Sequence, residues 1–131
     1  MAGCDIPDRY VGLIQEGRYA DLGELFAVDA AFRTPLGQIL RGREAIRDFY
    51  TGFLTRVQPF PRGTRHVWDK EARVCVFELQ TRMRRNADGE WVNDPSAPYS
   101  LSAIDRMEIN DDGLIQEMTV YMAPPNRWME D

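Results

Sequence analysis

The chain has 131 residues, enough for one domain with its own core, and no repeat or low-complexity linker divides it. Its net charge of −5 argues against nucleic acid as a partner, because phosphate contacts need surplus lysine and arginine. With 44% apolar and 28% charged residues it has the composition of an ordinary globular protein, and no apolar stretch is long enough to span a membrane.

The opening "MAGCDIPDRY" holds no apolar h-region, so no signal peptide is expected. From Asp5 to Glu16, Tyr10, Leu13 and Ile14 recur at helical spacing and Gly17 ends the run, which predicts a helix. Tyr19, Leu22, Leu25 and Phe26 predict a second, short one. Alternation over Val28–Thr34 predicts a strand that Thr34-Pro35 breaks; Gly37 turns the chain, and Gln38–Arg41 returns. Gly42–Thr55 reads as the third helix, with Ile46, Phe49, Tyr50, Phe53 and Leu54 as its apolar stripe. Pro59 and Pro61 mark a loop.

The second half reads as sheet. Thr64–Lys70 and Arg73–Arg84 form a hairpin turning near Glu71-Ala72. The segment "RRNADGEWVNDPSAP" follows; Asp88-Gly89 signals a turn, and Pro95 and Pro98 forbid a central strand. It either folds over the mouth of the fold as a lid anchored by Trp91 or is an exposed hairpin tip. Tyr99–Ile109 and Leu114–Met122 pair across "NDDG", and the tail, residues 123–131, is irregular. Helices first and antiparallel strands later imply an α+β class, with helices laid on one face of a curved sheet. Such a cone has an apolar interior suited to a small apolar molecule. One domain over 1–131 is expected.

Cys4 and Cys75 have no metal or disulfide spacing, so a reducing cytoplasm is the expected compartment. With no phosphate-binding glycine loop and no cluster of metal ligands, neither a cofactor nor a metal is expected. Arginines gather mid-chain at Arg56, Arg62, Arg65, Arg73, Arg82, Arg84 and Arg85. They read as solvated strand faces and a hairpin tip, or as an anion or partner patch.

Strand alternation singles out one residue. On Tyr99–Ile109 one face carries Tyr99, Leu101, Ala103, Asp105, Met107 and Ile109, so Asp105 is the lone acid on an apolar face. An ionised carboxylate there must pair with a cation, accept several hydrogen bonds, or stay protonated, and a protonated carboxyl is a strong donor. A structural Asp paired to an arginine remains the plain alternative. Tyr10 lies on the buried stripe of the first helix. Met118, Val120 and Met122 continue the apolar wall on the last strand, and Cys75, Phe77, Leu79 and Met83 share a face of the hairpin.

Several of these residues fall where a known family places them. "RYVGLIQEGRYADLGELFAVDAAFRTPLGQILRGREAIRDFY" resembles the opening of the ketosteroid isomerases, a branch of the nuclear-transport-factor-2-like and SnoaL-like superfamily, and "AIDRMEINDDGLIQEMTVYM" resembles its closing strands. The resemblance implies a cystatin-like, nuclear-transport-factor-2-like fold: a conical half-barrel of curved antiparallel sheet with N-terminal helices over its mouth. It also implies an oxyanion hole made by Tyr10 and a protonated Asp105, with Tyr50 supporting Tyr10. Phe77, Met118 and Met122 match positions lining the cavity, and Trp68 and Phe53 join them as candidate substrate contacts. The isomerases end the broken strand in an acid-Pro pair whose acid is the general base. Here the pair is Thr34-Pro35, so the proton carrier is missing, and His66, the only histidine, is the remaining candidate. The resemblance further implies a homodimer through the outer sheet face.

Three readings stay open: an isomerase, cyclase or dehydratase acting on an apolar carbonyl compound; a non-catalytic module for apolar-ligand binding or dimerisation; and a scaffold whose cone is filled by Met83, Met107, Met118 and Met122.

Overall fold

The structure, a computed structural model, describes residues 4–122, without the side chains of Thr64 and Trp91. The expected irregular tail, 123–131, and the lid-anchoring role of Trp91 fall outside the described atoms.

Helix α1 spans Ile6–Gln15 and buries Ile6, Tyr10, Val11 and Ile14, the residues its spacing places on one face. Gly17 adopts φ +74°, and the amides of Gly17 and Arg18 close the helix on the carbonyls of Ile14 and Leu13. The second short helix is a 3₁₀ helix, Tyr19–Leu25; it stops one residue earlier than the apolar spacing implies, because Phe26 already begins strand β1, Phe26–Arg33. Strand β2, Ile39–Arg41, returns along β1. Helix α2, Arg43–Val57, buries Ile46, Tyr50 and Leu54.

Strands β3, Arg62–Asp69, and β4, Val74–Thr81, form the expected hairpin, and the Asp69 carboxylate accepts the amides of Glu71 and Ala72 in its turn. The predicted second arm, Arg73–Arg84, is broken after Thr81. Its end becomes β5, Met83–Arg85, which pairs only with β6, Trp91–Asn93, in a small separate hairpin. Asn86 closes that hairpin's turn, its side-chain oxygen accepting the amides of Asp88 and Glu90. Strands β7, Ser100–Ile109, and β8, Ile115–Met122, complete the main sheet.

The main sheet runs β2-β1-β8-β7-β4-β3. An all-antiparallel sheet is corrected at one place: β1 and β8 pair in parallel, since β8 returns beside β1 only after α2 and the other strands have intervened. The helices cover one face, and the core between them is aromatic. Phe26, Phe32 and Phe77 are fully buried, and Phe32 and Tyr50 meet edge-on at 5.3 Å between ring centres.

One bulge corrects the face reading of β7. Ala103 pairs with Leu79 but Leu101 pairs with Gln80, so Ser102 is an extra residue. That slip turns Leu101 off the Asp105 face and leaves it 41% exposed, whereas Ala103, Asp105, Met107 and Ile109 stay buried.

Candidate functional site

Asp105 sits mid-strand with Phe77 and Val120 as its cross-strand partners. It is 1% exposed, and both carboxyl oxygens are buried without a hydrogen-bond partner. No ion pair reaches it among the described residues. Loss of hydration alone pushes its carboxyl up to about 7, so the neutral acid, a donor, is its main form through mildly acidic pH.

Two phenols sit beside it. The Tyr10 and Tyr50 hydroxyl oxygens are 2.8 Å apart, and the Tyr50 hydroxyl donates to Met118 Sδ at 3.8 Å. With its one proton on sulfur, Tyr50 accepts from Tyr10. Both phenols are pushed well above their usual range. Burial is the main cause for each; the Asp105 charge adds to it at Tyr10, and the Tyr10 and Asp105 charges add to it at Tyr50. Tyr10 also meets Phe77 edge-on at 5.8 Å. Helix α1 supplies Tyr10, α2 supplies Tyr50 and the sheet supplies Asp105, so three separate elements bring three polar side chains together in the apolar core.

Two open clefts lie nearby. One, of about 530 Å³, is bordered by Ile14, Tyr19, Phe60, Arg82, Asn93 and Tyr99. The other, of about 500 Å³ between α1 and β3, is bordered by Asp8, Val11, Gln15, Arg65, His66 and Phe77. Neither is lined by Tyr10, Tyr50 or Asp105.

Residues 8–118 match the model of the SnoaL-like domain. This chain belongs to that family. No curated protein matches it. Among solved structures it is similar to the epoxide hydrolase/cyclase-like enzyme SalBIII, which has a role in pyran ring formation in the polyether salinomycin. The identity is 18%, the TM-score 0.69, and the match covers 91% of this chain and 88% of that one. It is also similar to a protein of unknown function with a cystatin-like fold from Methylobium petroleophilum PM1. Here the identity is 17% and the TM-score 0.68, covering 92% of this chain and 75% of that one. At such identities the likeness concerns the fold.

Within this SnoaL-like domain the other candidates divide. Thr34, 4% exposed, ends β1 on the inner face. Arg33 pairs with Thr119, so the next step of that register sets Thr34 level with Val120, two strand spacings or roughly 10 Å from the Asp105 strand. Its hydroxyl accepts the Gln38 amide at 3.2 Å, while the Thr34 amide donates to the Gln38 carbonyl at 2.9 Å. The threonine thus closes the turn at Pro35–Gly37. Phe77 is buried against Tyr10, and Met118 is buried at the Tyr50 hydroxyl. Met122, at the end of β8, is 52% exposed. Phe53 stacks on Phe49, and Trp68 packs half-buried against the core.

His66 is not brought to the cluster. It pairs with Phe77 on β3 and is exposed in the cleft between α1 and β3, with the Phe77 position between it and Asp105. Thr34, Val120, Asp105, Phe77 and His66 therefore form one transverse row across five strands. Sequence reasoning passed over Thr81 and Asn93 and named Arg82 only within the arginine cluster; each buries an unpaired polar side-chain atom. The other sequence signal at this end is the pair Pro95 and Pro98, which marks a loop but not what it covers.

Among the described residues no three His, Cys, Asp or Glu side chains converge as metal ligands, and no helix is long and apolar enough to cross a membrane.

Proposed function

We propose that this chain is a small-molecule enzyme acting on a largely apolar carbonyl compound, by isomerisation, cyclisation or dehydration. Tyr10 and Asp105 hold the carbonyl oxygen as it gains negative charge, and Tyr50 backs Tyr10. The observation that carries this reading is the Asp105 carboxyl, buried without cation or donor, which leaves a hydrogen-bonding partner to be supplied from outside the protein. The weak Met118 contact supports it too. Thioether sulfur is a poor acceptor, so Tyr50 gives it up at little cost and turns its proton to Tyr10. Tyr10 then donates to the ligand. Removing one such donor typically slows a reaction by about 100- to 1000-fold.

The proton carrier is a water held near Thr34, since the Phe77 position separates His66 from Asp105. A threonine hydroxyl with no activating base takes no proton at neutral pH. SalBIII, a cyclase-like enzyme on the same fold, is consistent with cyclisation chemistry.

A second reading has its own support. Phe26, Phe32, Met107 and Met118 are fully buried, so the cone is largely filled by its own side chains, as a non-catalytic partner-binding scaffold requires. Binding of a rigid phenol that mimics an enolate separates the two. The enzyme reading expects tight binding that Asp105→Ala weakens more than Thr34→Ala does. No binding by phenols of any size removes it. Turnover of an enone that follows an ionisation near neutral pH removes the second.

A further inference from the structure

Every buried side-chain oxygen or nitrogen left without a partner among the described residues belongs to one of two groups. Two are the Asp105 oxygens; the others are Thr81 Oγ1, Arg82 Nε and Asn93 Oδ1. Asp105 and Thr81 lie on the same strand pair. Phe77 pairs with Asp105, and four residues along β4 Thr81 pairs with Ser100, immediately before Arg82. At about 3.3 Å per residue the two sets are roughly 13 Å apart. Between them the inner face carries the pair Leu79 and Ala103, an apolar and partly small stretch.

Arg82 and Asn93 of the second group border the cleft of about 530 Å³, a volume that suits a small organic ligand. Its wall includes Ile14, one helical turn beyond Tyr10 on the same face of α1. The break between β4 and β5 places Arg82 there, and β6 ends with Asn93 facing the same cleft. Tyr99 anchors the rim: the Arg62 guanidinium lies 3.7 Å and the Arg82 guanidinium 4.2 Å from its ring centre. Arg62 is held by Gln80, and Arg82 Nη1 donates to the Pro95 carbonyl, but neither arginine is in an ion pair among the described residues. Glu16, at the end of α1, also borders the cleft. Two positive charges on an aromatic platform beside orphaned donors call for an anionic oxygen.

We infer that the substrate is bipolar: its reacting oxygen meets Asp105 and Tyr10, and about 13 Å away it carries a carboxylate that takes the Arg82 Nε–H at the cleft. Half a turn of the Asn93 amide presents Nδ2–H in place of Oδ1. This inference rests on the reading of Asp105 and Tyr10 as the oxygen-binding pair. It assigns part of the central arginine cluster a role beyond keeping strand faces solvated.

The test uses two naphthols on the whole protein. Each carries an alkyl arm reaching about 13 Å from the phenol oxygen. One arm ends in a carboxylate and the other in its methyl ester, and binding is followed by calorimetry. The carboxylate is expected to bind about tenfold or more tightly than the ester. Arg82→Gln is expected to erase that difference, and Asp105→Asn to weaken both ligands together. Equal binding to the unmodified protein overturns the carboxylate site and leaves the oxygen-binding pair standing; that comparison needs no variant. A preference that survives Arg82→Gln also overturns it. Failure of both naphthols to bind removes the oxygen-binding pair, and this inference with it.

Discussion

The phenol oxygens of Tyr10 and Tyr50 lie 2.8 Å apart and bond to each other, while the Asp105 carboxyl beside them is bonded to neither. The charge of Asp105 is therefore stabilised by no hydrogen bond or ion pair among the described residues and opposed by burial. Its carboxyl stands at about 7 when folded against an ordinary 3.8. The folded state then holds this proton more tightly than the unfolded state, so stability falls as pH rises from 3.8 to about 7 and levels off above. The three-unit difference corresponds to a loss of order ~4 kcal/mol. Asp105→Asn has no such slope. It is expected to match the natural protein near the acid end of the window and to exceed its stability by a few kcal/mol (about 2–4) above neutrality. Urea unfolding across that range checks this. A natural protein that grows more stable through the window would mean the carboxylate has a charged partner.

Tyr50→Phe removes both the acceptor of the Tyr10 proton and the donor to Met118. A buried hydroxyl left without a partner costs about 1–3 kcal/mol. Adding Tyr10→Phe removes that orphan, so the double variant is expected to lose less stability than the two single losses added together. Denaturant midpoints of the four proteins measure the coupling. Strict additivity would show that the 2.8 Å contact carries no energy.

How much was legible in the sequence depended on what kind of rule each feature obeys. Helical spacing put Tyr10 and Tyr50 on buried faces, and alternation put Asp105 on an apolar one; all three are buried. Local turn chemistry at Thr34–Gly37, Glu71-Ala72 and Asp88-Gly89 was readable because those contacts span four residues or fewer. Leu101 was misplaced because a bulge at Ser102 leaves no trace in alternation until its partners Leu79 and Gln80 are known. The parallel β1–β8 pair joins residues far apart in the chain, which no local pattern encodes. Asn93 was passed over, and Arg82 was seen only as one of a cluster, for the same reason: their burial comes from the β5–β6 hairpin, α1 and the Phe60 loop meeting in space. His66 read as a candidate by residue type alone, and its exposed position depends on where Phe77 packs.

The two cysteines should differ sharply in reactivity. Cys75 is completely buried on β4, and its thiol is pushed up to about 12, chiefly by burial and then by Cys4 beside it. Only the thiolate attacks, so Cys75 is chemically silent at mildly alkaline pH. Cys4 is only partly buried. Iodoacetamide is expected to add once to the folded protein, at Cys4, and a second time only after unfolding. Peptide mass spectrometry distinguishes the sites. Equal labelling of both in the folded protein would show that β4 is open to solvent.

Thr34→Asp tests the oxygen-binding pair from the other side. The substitution suits the turn, since a carboxylate oxygen accepts the Gln38 amide as the threonine hydroxyl does, and Pro35 and Gly37 are untouched. Thr34 is on the inner face, level with Val120 and roughly 10 Å from the Asp105 strand, a separation comparable to the width of a flat ring system. The resemblance to ketosteroid isomerases implies an acid at this position as their proton carrier. A positioned general base contributes about 100- to 10,000-fold, so Thr34→Asp is expected to raise isomerisation of an unconjugated cyclic enone at least about 100-fold over the natural protein. The growth of conjugated-enone absorbance reports the rate. Adding Asp105→Asn should remove most of the gain, because the asparagine keeps the shape but replaces the acid with a weaker donor. If Thr34→Asp binds the phenol and still turns nothing over, Thr34 does not face the oxygen that Tyr10 and Asp105 are proposed to hold.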